Sequence, residues 1–423
     1  MKNPATGMFR SLRVGNYRVW AAGAFVSNIG TWVQRTAQTW LVLIQLTSHN
    51  ASAVGLVMAL QFGPQLLLLP LTGFAADHFN QRRLLIATQA TMGALALALG
   101  LLTVTDVVQL WQVDVFAFLF GCAAAFDAPV RQTFVAELVG DADLPNAVAL
   151  NSTSFNAARM IGPAVAGAVI AATGTGWAFV INGASFGAVI ISLAMLRVSE
   201  LHPNPRAHRV GGNLKGTFLA SFTGGFRYVW SRRDLKAILV MLALIGTFGL
   251  NFQIFVSTMA IGVFHSDARG FGLLSSFMAI GTVAGALFGA SRQTPKFTSL
   301  LVGSAMFGIG CTLAALAPNY WSFAAALVVI GVASLIFTNT TNSLMQLATE
   351  PTMRGRVMAL RVGVALGGTP IGAPIVGWVA DSFGPRWALG VGAASGFAAA
   401  LVAIYALARQ TEMPRQQRLP SNS

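Results

Sequence analysis

Long apolar stretches, separated by short polar breaks, run along almost the whole chain. Each stretch is about 20 residues long, which is the length that a helix needs to cross the hydrocarbon core of a bilayer. Strands of a membrane barrel would be about 10 residues long with alternating polarity, so the pattern favours helices. We predict an all-α membrane protein with twelve transmembrane helices, at residues 18–46, 53–75, 84–104, 110–130, 145–172, 177–196, 238–263, 271–291, 298–317, 320–345, 356–380 and 387–408.

The longest polar break, residues 197–237, divides the predicted helices into two groups of six. It begins rich in proline and glycine and continues with apolar residues at helical spacing, Phe226 and Trp230 among them. This change predicts a flexible stretch followed by a short amphipathic helix at the membrane interface. We therefore expect an N-terminal six-helix bundle over residues 1–196, a cytoplasmic linker over 197–237, and a C-terminal six-helix bundle with a short tail over 238–423.

The two halves share a glycine pattern. In each half an Ile-Gly pair is followed by two further glycines at the same spacing, once in span five and once in span eleven. The repeated glycines are Gly162, Gly167 and Gly174 in the first half and Gly372, Gly377 and Gly384 in the second. Shared spacing at the same position of two six-span halves predicts an internal duplication, as in many secondary transporters.

Basic residues are concentrated in alternate breaks. The chain has 27 Lys and Arg residues against 13 Asp and Glu, yet only 9% of it is charged, where a soluble protein has about 25%. Apart from Arg35, Arg159, Arg269 and Arg386, all Lys and Arg residues fall on the side of the two termini. The positive-inside rule then predicts a multi-pass protein of the cytoplasmic membrane, with both termini in the cytoplasm. It also explains the positive charge without a nucleic-acid partner.

Signatures of an enzyme or of a metal site are missing from the sequence. Cys122 and Cys311 lie within apolar stretches, where cysteine is a packing residue, and the five histidines are scattered over different breaks. No G-x4-G-K-[ST] motif, catalytic triad or metal-ligand spacing stands out. We therefore expect no metal, no cofactor, no ATP hydrolysis and no enzymatic activity.

The break after span two resembles the loop 2–3 signature of the major facilitator superfamily, G-x-x-x-D-R-x-G-R-R. The residues that correspond to the glycine, the acid and the basic pair are Gly73, Asp77, Arg82 and Arg83. His78 and Asn80 stand in place of the usual arginine and glycine. In that family this element is a cytoplasmic gate that pairs between the two halves.

Three further segments extend the resemblance over most of the chain. They are Phe126-Asp127-Ala128-Pro129-Val130-Arg131 at the end of span four, Asn156-Ala157-Ala158-Arg159 with Gly162-Pro163 in span five, and Arg354-Gly355-Arg356 before span eleven. Together they resemble the drug–proton antiporter branch that includes the enterobactin exporter.

The resemblance implies two pseudo-symmetric six-helix bundles around a central cavity, the major facilitator fold. It implies alternating access, with export of amphipathic small molecules such as drugs or siderophores against the entry of protons. Its partners would be a small-molecule substrate, protons and the lipid bilayer. An uptake carrier for a small solute, and a membrane sensor or scaffold that transports nothing, remain as alternatives because fold alone does not fix function.

Polar side chains form stripes on several predicted spans. Span one has Asn28, Thr31, Arg35 and Gln38 on one helix face, and such a stripe faces other helices or a wet cavity rather than lipid. Spans one, four, seven and ten line the cavity in the family. The other candidate cavity residues are Trp32, Asp114, Asn156, Arg159, Asn251, Asn339, Asn342 and Gln346. The alternative for each is a hydrogen bond between helices without any ligand.

Charged residues within the spans suggest two further roles. Arg35 lies deep in span one and would be costly unless paired or hydrated, so we expect it to meet Asp114, which enters span four from the opposite side. Asp127 lies near the cytoplasmic end of span four, where it forms either part of a gate network or a simple helix-end salt bridge. Proton coupling would use Asp114 or Asp127. The candidate gate and coupling residues are Gly73, Asp77, Arg82, Arg83, Asp127, Arg131 and Arg356.

Overall fold

The computed structural model describes residues 9–68, 71, 72, 75, 78–202, 214–290, 296–350 and 352–411. In this part of the chain the regular structure is helical throughout. The long helices are α1 (Gly15–Trp40), α2 (Ala51–Leu67), α3 (Gln81–Val104), α4 (Leu110–Gly140), α5 (Ala142–Thr173), α6 (Thr175–Ala194), α7 (Arg233–Gly262), α8 (Ala268–Ala290), α9 (Phe297–Leu316), α10 (Tyr320–Ala348), α11 (Arg354–Phe383) and α12 (Pro385–Thr411). A connecting helix, Leu214–Ser231, precedes α7.

Ten of the described helices, α3 to α12, are long and apolar enough to cross a membrane. The other two long helices, α1 and α2, do not meet both requirements of length and apolar character, each for a different reason. The 26-residue α1 is long enough but contains the polar stripe, whereas the described part of α2 has 17 residues. Two of the candidate gate residues, Gly73 and Asp77, lie outside the described residues.

Helices α4 and α5 are longer than their apolar segments. Apolar character predicts 110–130 and 145–172, but the helices continue through polar residues to Gly140 and start again at Ala142. Gly140 has a φ of 68°, a left-handed conformation that suits glycine, so it ends α4 and lets the chain turn into α5. The boundary is therefore set by backbone conformation rather than by hydropathy.

Helix α7 is interrupted in its middle. A regular segment, Arg233–Leu244, leads into a π-helical turn at Ile245–Gly249, and a second regular segment runs over Phe252–Gly262. A similar π-helical segment, Leu41–Leu46, continues α1. Such π-helical turns mark local departures from regular α-helix geometry.

Equivalent glycines of the two halves lie at equivalent close contacts. Gly162 of α5 faces Trp32 of α1, and Gly372 of α11 faces the backbone of Thr247 in α7. Gly167 faces the backbone of Ala268 at the start of α8, and Gly377 that of Ala51 at the start of α2. The chain also leaves α5 and α11 through glycines with positive φ, at Gly174 and Gly384. The glycine repeat in the sequence thus has a matching repeat of helix contacts.

We call the end of the molecule where α1 begins and α12 ends the terminal face, and the end with the α1–α2 connection, residues 47–50, the loop face. The first half (α1–α6) meets the second (α7–α12) through the pairs α2–α11 and α5–α8, and α1 and α2 contact the Phe252–Gly262 segment of α7. The Arg233–Leu244 segment, which lies nearer the terminal face, packs on α10, α11 and α12 of its own half. The halves are therefore joined towards the loop face.

A carboxylate bridges the two halves at the loop face. Asp381, near the end of α11, accepts hydrogen bonds from the backbone N–H groups of Ala51 (2.7 Å) and Ser52 (2.8 Å), and from the Ser52 hydroxyl (2.5 Å). Both N–H groups belong to the first turn of α2, which has no helical acceptor of its own for them. We call this group of bonds the loop-face latch.

Candidate functional site

A cavity of about 370 Å³ lies between the two halves, and we call it the central cavity. The first half contributes a cationic and aromatic wall from α1, α2 and α5, and the second half contributes hydroxyl, amide and aromatic groups from α7, α8, α10 and α11. Among the lining residues are Trp32, Arg35, Phe62, Arg159, Phe252, Gln253, Phe271, Ser275, Ser334 and Thr338. Its volume falls in the range of small-molecule sites, which is about 300–1,000 Å³.

Two arginines of the first half share one aromatic ring in this cavity. The guanidinium carbon of Arg35 lies 4.9 Å from the centre of the Trp32 ring and 5.4 Å from that of Phe62. The guanidinium carbon of Arg159 lies 5.7 Å from the same Trp32 ring. Arg35 and Arg159 are held against aromatic faces, which attract cations.

The expected ion pair between Arg35 and Asp114 is absent from this structure. The ion pairs of the described residues are Arg10–Asp143, Arg131–Asp127, Arg197–Glu200 and Arg232–Asp234. Arg35 Nε and Asp114 Oδ1 are each buried without a hydrogen-bond partner in the described chain. The prediction was wrong because two side chains at a similar depth in two helices need not face each other. The guanidinium group of Arg35 lies against the rings of Trp32 and Phe62 instead.

A second cavity, of about 670 Å³, lies within the first half on the terminal-face side of Arg35. Its wall includes most of the predicted polar stripe of α1 and its neighbours on α4 and α5. The predicted residues among its lining are Asn28, Thr31, Arg35, Asp127, Arg131 and Asn156. Because Arg35 lines both cavities, the polar stripe leads from the terminal-face side of the first half to the central cavity.

The remaining stripe residues lie outside the central cavity. Gln38 lines a small recess beside Arg35. Asn251 is fully buried at the break in α7, where its amide donates to the Thr247 carbonyl at 2.7 Å, so it packs between helices. Asn339, Asn342 and Gln346 share a helix face with Leu335, which lines the central cavity, and they lie beyond it towards the terminal face.

Asp127 is the centre of a hydrogen-bond network inside the first half. Its carboxylate accepts from Arg131 (2.7 and 3.0 Å), from the Gln89 amide (2.6 Å) and from the Thr88 hydroxyl (3.0 Å). Arg131 also reaches Asn28 of α1 at 3.4 Å. These partners tie α3, α4 and α1 of the first half together, and the Asp127–Arg131 ion pair joins residues one helical turn apart. Asp77, which the gate alternative would add, lies outside the described residues.

Among the other candidate gate residues, Arg82, Arg83 and Arg356 are described, and they lie at the terminal face, apart from this network. Arg82 donates to the carbonyls of Leu193 and Ala194, so it caps the end of α6. Arg83 and Arg356 are exposed, and Arg356 lies beside the connecting helix at Gly224 and Gly225. The structure brings no two of these three arginines into one described cluster.

Several lining residues escaped sequence reasoning. Thr36 and Thr39 of α1 and Ser334 and Thr338 of α10 are hydroxyl residues outside the predicted stripes, and such residues are ordinary in membrane helices. Gln253 follows Asn251 by two positions, and side chains two positions apart on a helix do not share a face, so one is packed between helices and the other lines the cavity. Within each hydroxyl pair the two residues lie one helical turn apart, and this spacing was the available signal.

Comparison with known proteins gives consistent findings. A family model described as transmembrane secretion effector matches residues 6–422. The chain is 24% identical over 376 residues to the multidrug efflux pump Tap of Mycolicibacterium fortuitum, covering 85% of this chain and 88% of that protein. It is 22% identical over 381 residues to the enterobactin exporter EntS of Escherichia coli O1:K1 / APEC, covering 90% and 88%. The crystal structure of the nucleoside transporter NupG superposes with a TM-score of 0.69 at 13% identity, over 94% of this chain and 100% of that one.

Proposed function

Because the chain belongs to the transmembrane secretion effector family of major facilitator transporters, whose members are membrane transporters and not enzymes, we propose that it is a proton-coupled exporter of amphipathic small molecules. The observation on which this rests is the central cavity, which lies between two halves that meet towards the loop face. Two relatives with efflux or exporter in their names, Tap and EntS, favour the direction.

The proposed architecture is twelve spans in two six-helix bundles, over residues 1–196 and 238–423, joined by the linker 197–237. The terminal face would be cytoplasmic, because the basic residues of the breaks gather there. In this arrangement the described conformation is closed towards the outside. Tilting of one half against the other would part the α2–α11 and α5–α8 contacts and open the central cavity outwards.

Proton coupling is proposed to use Asp114. Asp127 accepts four hydrogen bonds from Arg131, Gln89 and Thr88, so a proton there would remove the charge that strengthens these bonds and that pairs with Arg131. Asp114 has a buried carboxylate oxygen with no partner in the described chain, and a carboxyl group of this kind can take up and release a proton at low structural cost.

The test is transport into everted vesicles with an imposed proton gradient, using a panel of dyes, antibiotics and siderophores. We expect gradient-driven uptake into everted vesicles that a protonophore abolishes, and we expect Asp114→Asn to bind the substrate but to lose the gradient dependence. The matched control is Asp106→Asn, the same change at an exposed aspartate of the α3–α4 loop. Accumulation in right-side-out vesicles would instead support an uptake carrier. The absence of flux for every compound would support a sensor or scaffold that transports nothing.

A further inference from the structure

The central cavity holds two cationic side chains and no described anion. Neither Arg35 nor Arg159 takes part in an ion pair or in a side-chain hydrogen bond within the described residues, and their charged groups lie against the same Trp32 ring. Arg35 Nε is fully buried and has no hydrogen-bond partner in the part of the chain that the structure describes. Two like charges at one site repel each other, and aromatic faces compensate only a part of the lost hydration.

The second half supplies no counter-charge either. Its residues that line the central cavity are apolar, aromatic, hydroxyl or amide groups, such as Phe252, Gln253, Ser275 and Thr338. Hydroxyl and amide groups can complete the hydrogen bonds of an anion, but they cannot neutralise a guanidinium group. The wall of the cavity is therefore cationic on one side and neutral on the other.

We propose that the central cavity binds an amphipathic anion, whose carboxylate, sulfonate or phosphate group meets Arg35 and Arg159 and whose flat apolar part lies along Phe62, Phe252 and Phe271. The planar guanidinium group, with its fixed fork of N–H donors, matches these oxyanions. This inference rests on the proposed function and adds the charge class of the substrate. Both arginines belong to the first half, so the anion would remain with that half while the second half moves.

The experiment compares ligands that differ in charge alone, on the whole protein in lipid nanodiscs. Binding is measured by equilibrium dialysis, with empty nanodiscs as the blank. The probes are 8-anilinonaphthalene-1-sulfonate and its uncharged counterpart N-phenyl-1-naphthylamine. We expect the wild type to favour the sulfonate by about tenfold or more, because hydrogen bonds to charged groups are the strong ones.

Two single variants locate the effect. Arg35→Gln and Arg159→Gln should each weaken sulfonate binding by roughly 10- to 100-fold and leave the uncharged probe within about twofold. Arg197→Gln, at an exposed arginine paired with Glu200, is the matched control and should change neither affinity. Equal affinities of the wild type for the two probes, or equal losses of both probes in the variants, would overturn the inference.

A second measurement needs no variant, in case the substitutions disturb folding. On the wild type, 2-naphthoate should displace the bound sulfonate and 2-naphthamide should not. Displacement by both compounds alike would refute the anion site. Gradient-driven export of a cationic dye, without binding of the anionic probes, would support the exporter proposal and refute the anion site. Binding of the anionic probes, without flux of any compound, would support the anion site and refute the exporter proposal.

Discussion

Substitution of Asp381 by asparagine should open the loop face. The carboxylate accepts three hydrogen bonds from Ala51 and Ser52, and it lies at the positive end of the α2 dipole. Asparagine keeps one side-chain oxygen but loses the charge and one acceptor. Because α2 and α11 belong to different halves, the latch stabilises only the conformation in which the loop face is closed.

The expected size of the effect follows from the contacts. A hydrogen bond to a charged group contributes about 1.5–3 kcal/mol, and a charge at a helix terminus about 0.3–1 kcal/mol. Asp381 is exposed, so water weakens these terms considerably. We therefore expect a loss of about 1–2 kcal/mol from the closed state, which shifts the ratio of closed to open molecules by roughly 5- to 30-fold.

The ratio of closed to open molecules can be measured by double electron–electron resonance, which reports the distances between two spin labels. Exposed sites for the labels are Ser48, in the α1–α2 connection, and Pro318, in the α9–α10 connection, each changed to cysteine. The native Cys122 and Cys311 are replaced first. Asp381→Asn should increase the fraction of long distances, and Ser52→Ala, which removes one of the three bonds, should do so to a smaller extent.

The control is Asp106→Asn, which removes a charge from the same face without touching the other half. If Asp381→Asn leaves the distance distribution unchanged, or if Asp106→Asn shifts it equally, the latch has no role in holding the halves together. A shift towards shorter distances would refute the assignment of the closed face.

Three further outcomes test the packing of the fold. Arg131→Gln should lower the melting temperature more than Asp127→Asn, because it leaves a buried carboxylate without its counter-ion. The double variant should lose less stability than the two single variants lose together, and additive losses would contradict the network. Gly372→Ala should destabilise by about 1–3 kcal/mol or more in thermal unfolding, because its new methyl group meets the Thr247 carbonyl, whereas Gly355→Ala in the same helix meets nothing and should be neutral. Gly167→Ala should likewise destabilise more than Gly187→Ala, which has open space around it, and equal melting temperatures would dismiss the close contact with α8.

The positions of the helices were predictable from sequence, because each apolar stretch must be as long as the bilayer is thick. The ends of the helices were less predictable. The apolar pattern of the sequence ends at the membrane boundary, whereas α4 and α11 continue through polar residues until a glycine or a loop ends them. The glycine repeat predicted only an internal duplication, and the structure adds that its glycines lie where helices approach closely.

The candidate site was only partly predictable. Three residues of the α1 stripe line cavities in the structure, since polar groups on a membrane helix have few other places to go. The partner of Arg35 was not predictable, since its surroundings depend on how α1 is rotated against α2 and α5. The placement of Asn251 in the cavity was not predictable for a related reason. The π-helical turn beside it changes the helix face on which its side chain lies.

The glycine contacts between the halves have a kinetic consequence. At Gly377 and Gly167 the two halves touch backbone to backbone, with no side chain inserted from the glycine side. Surfaces of this kind can come apart without side chains changing rotamer one after another. The activation barrier for opening would then be set mainly by the few directional bonds at the rim, and a single substitution there could change the turnover rate more than any enlargement of the interface.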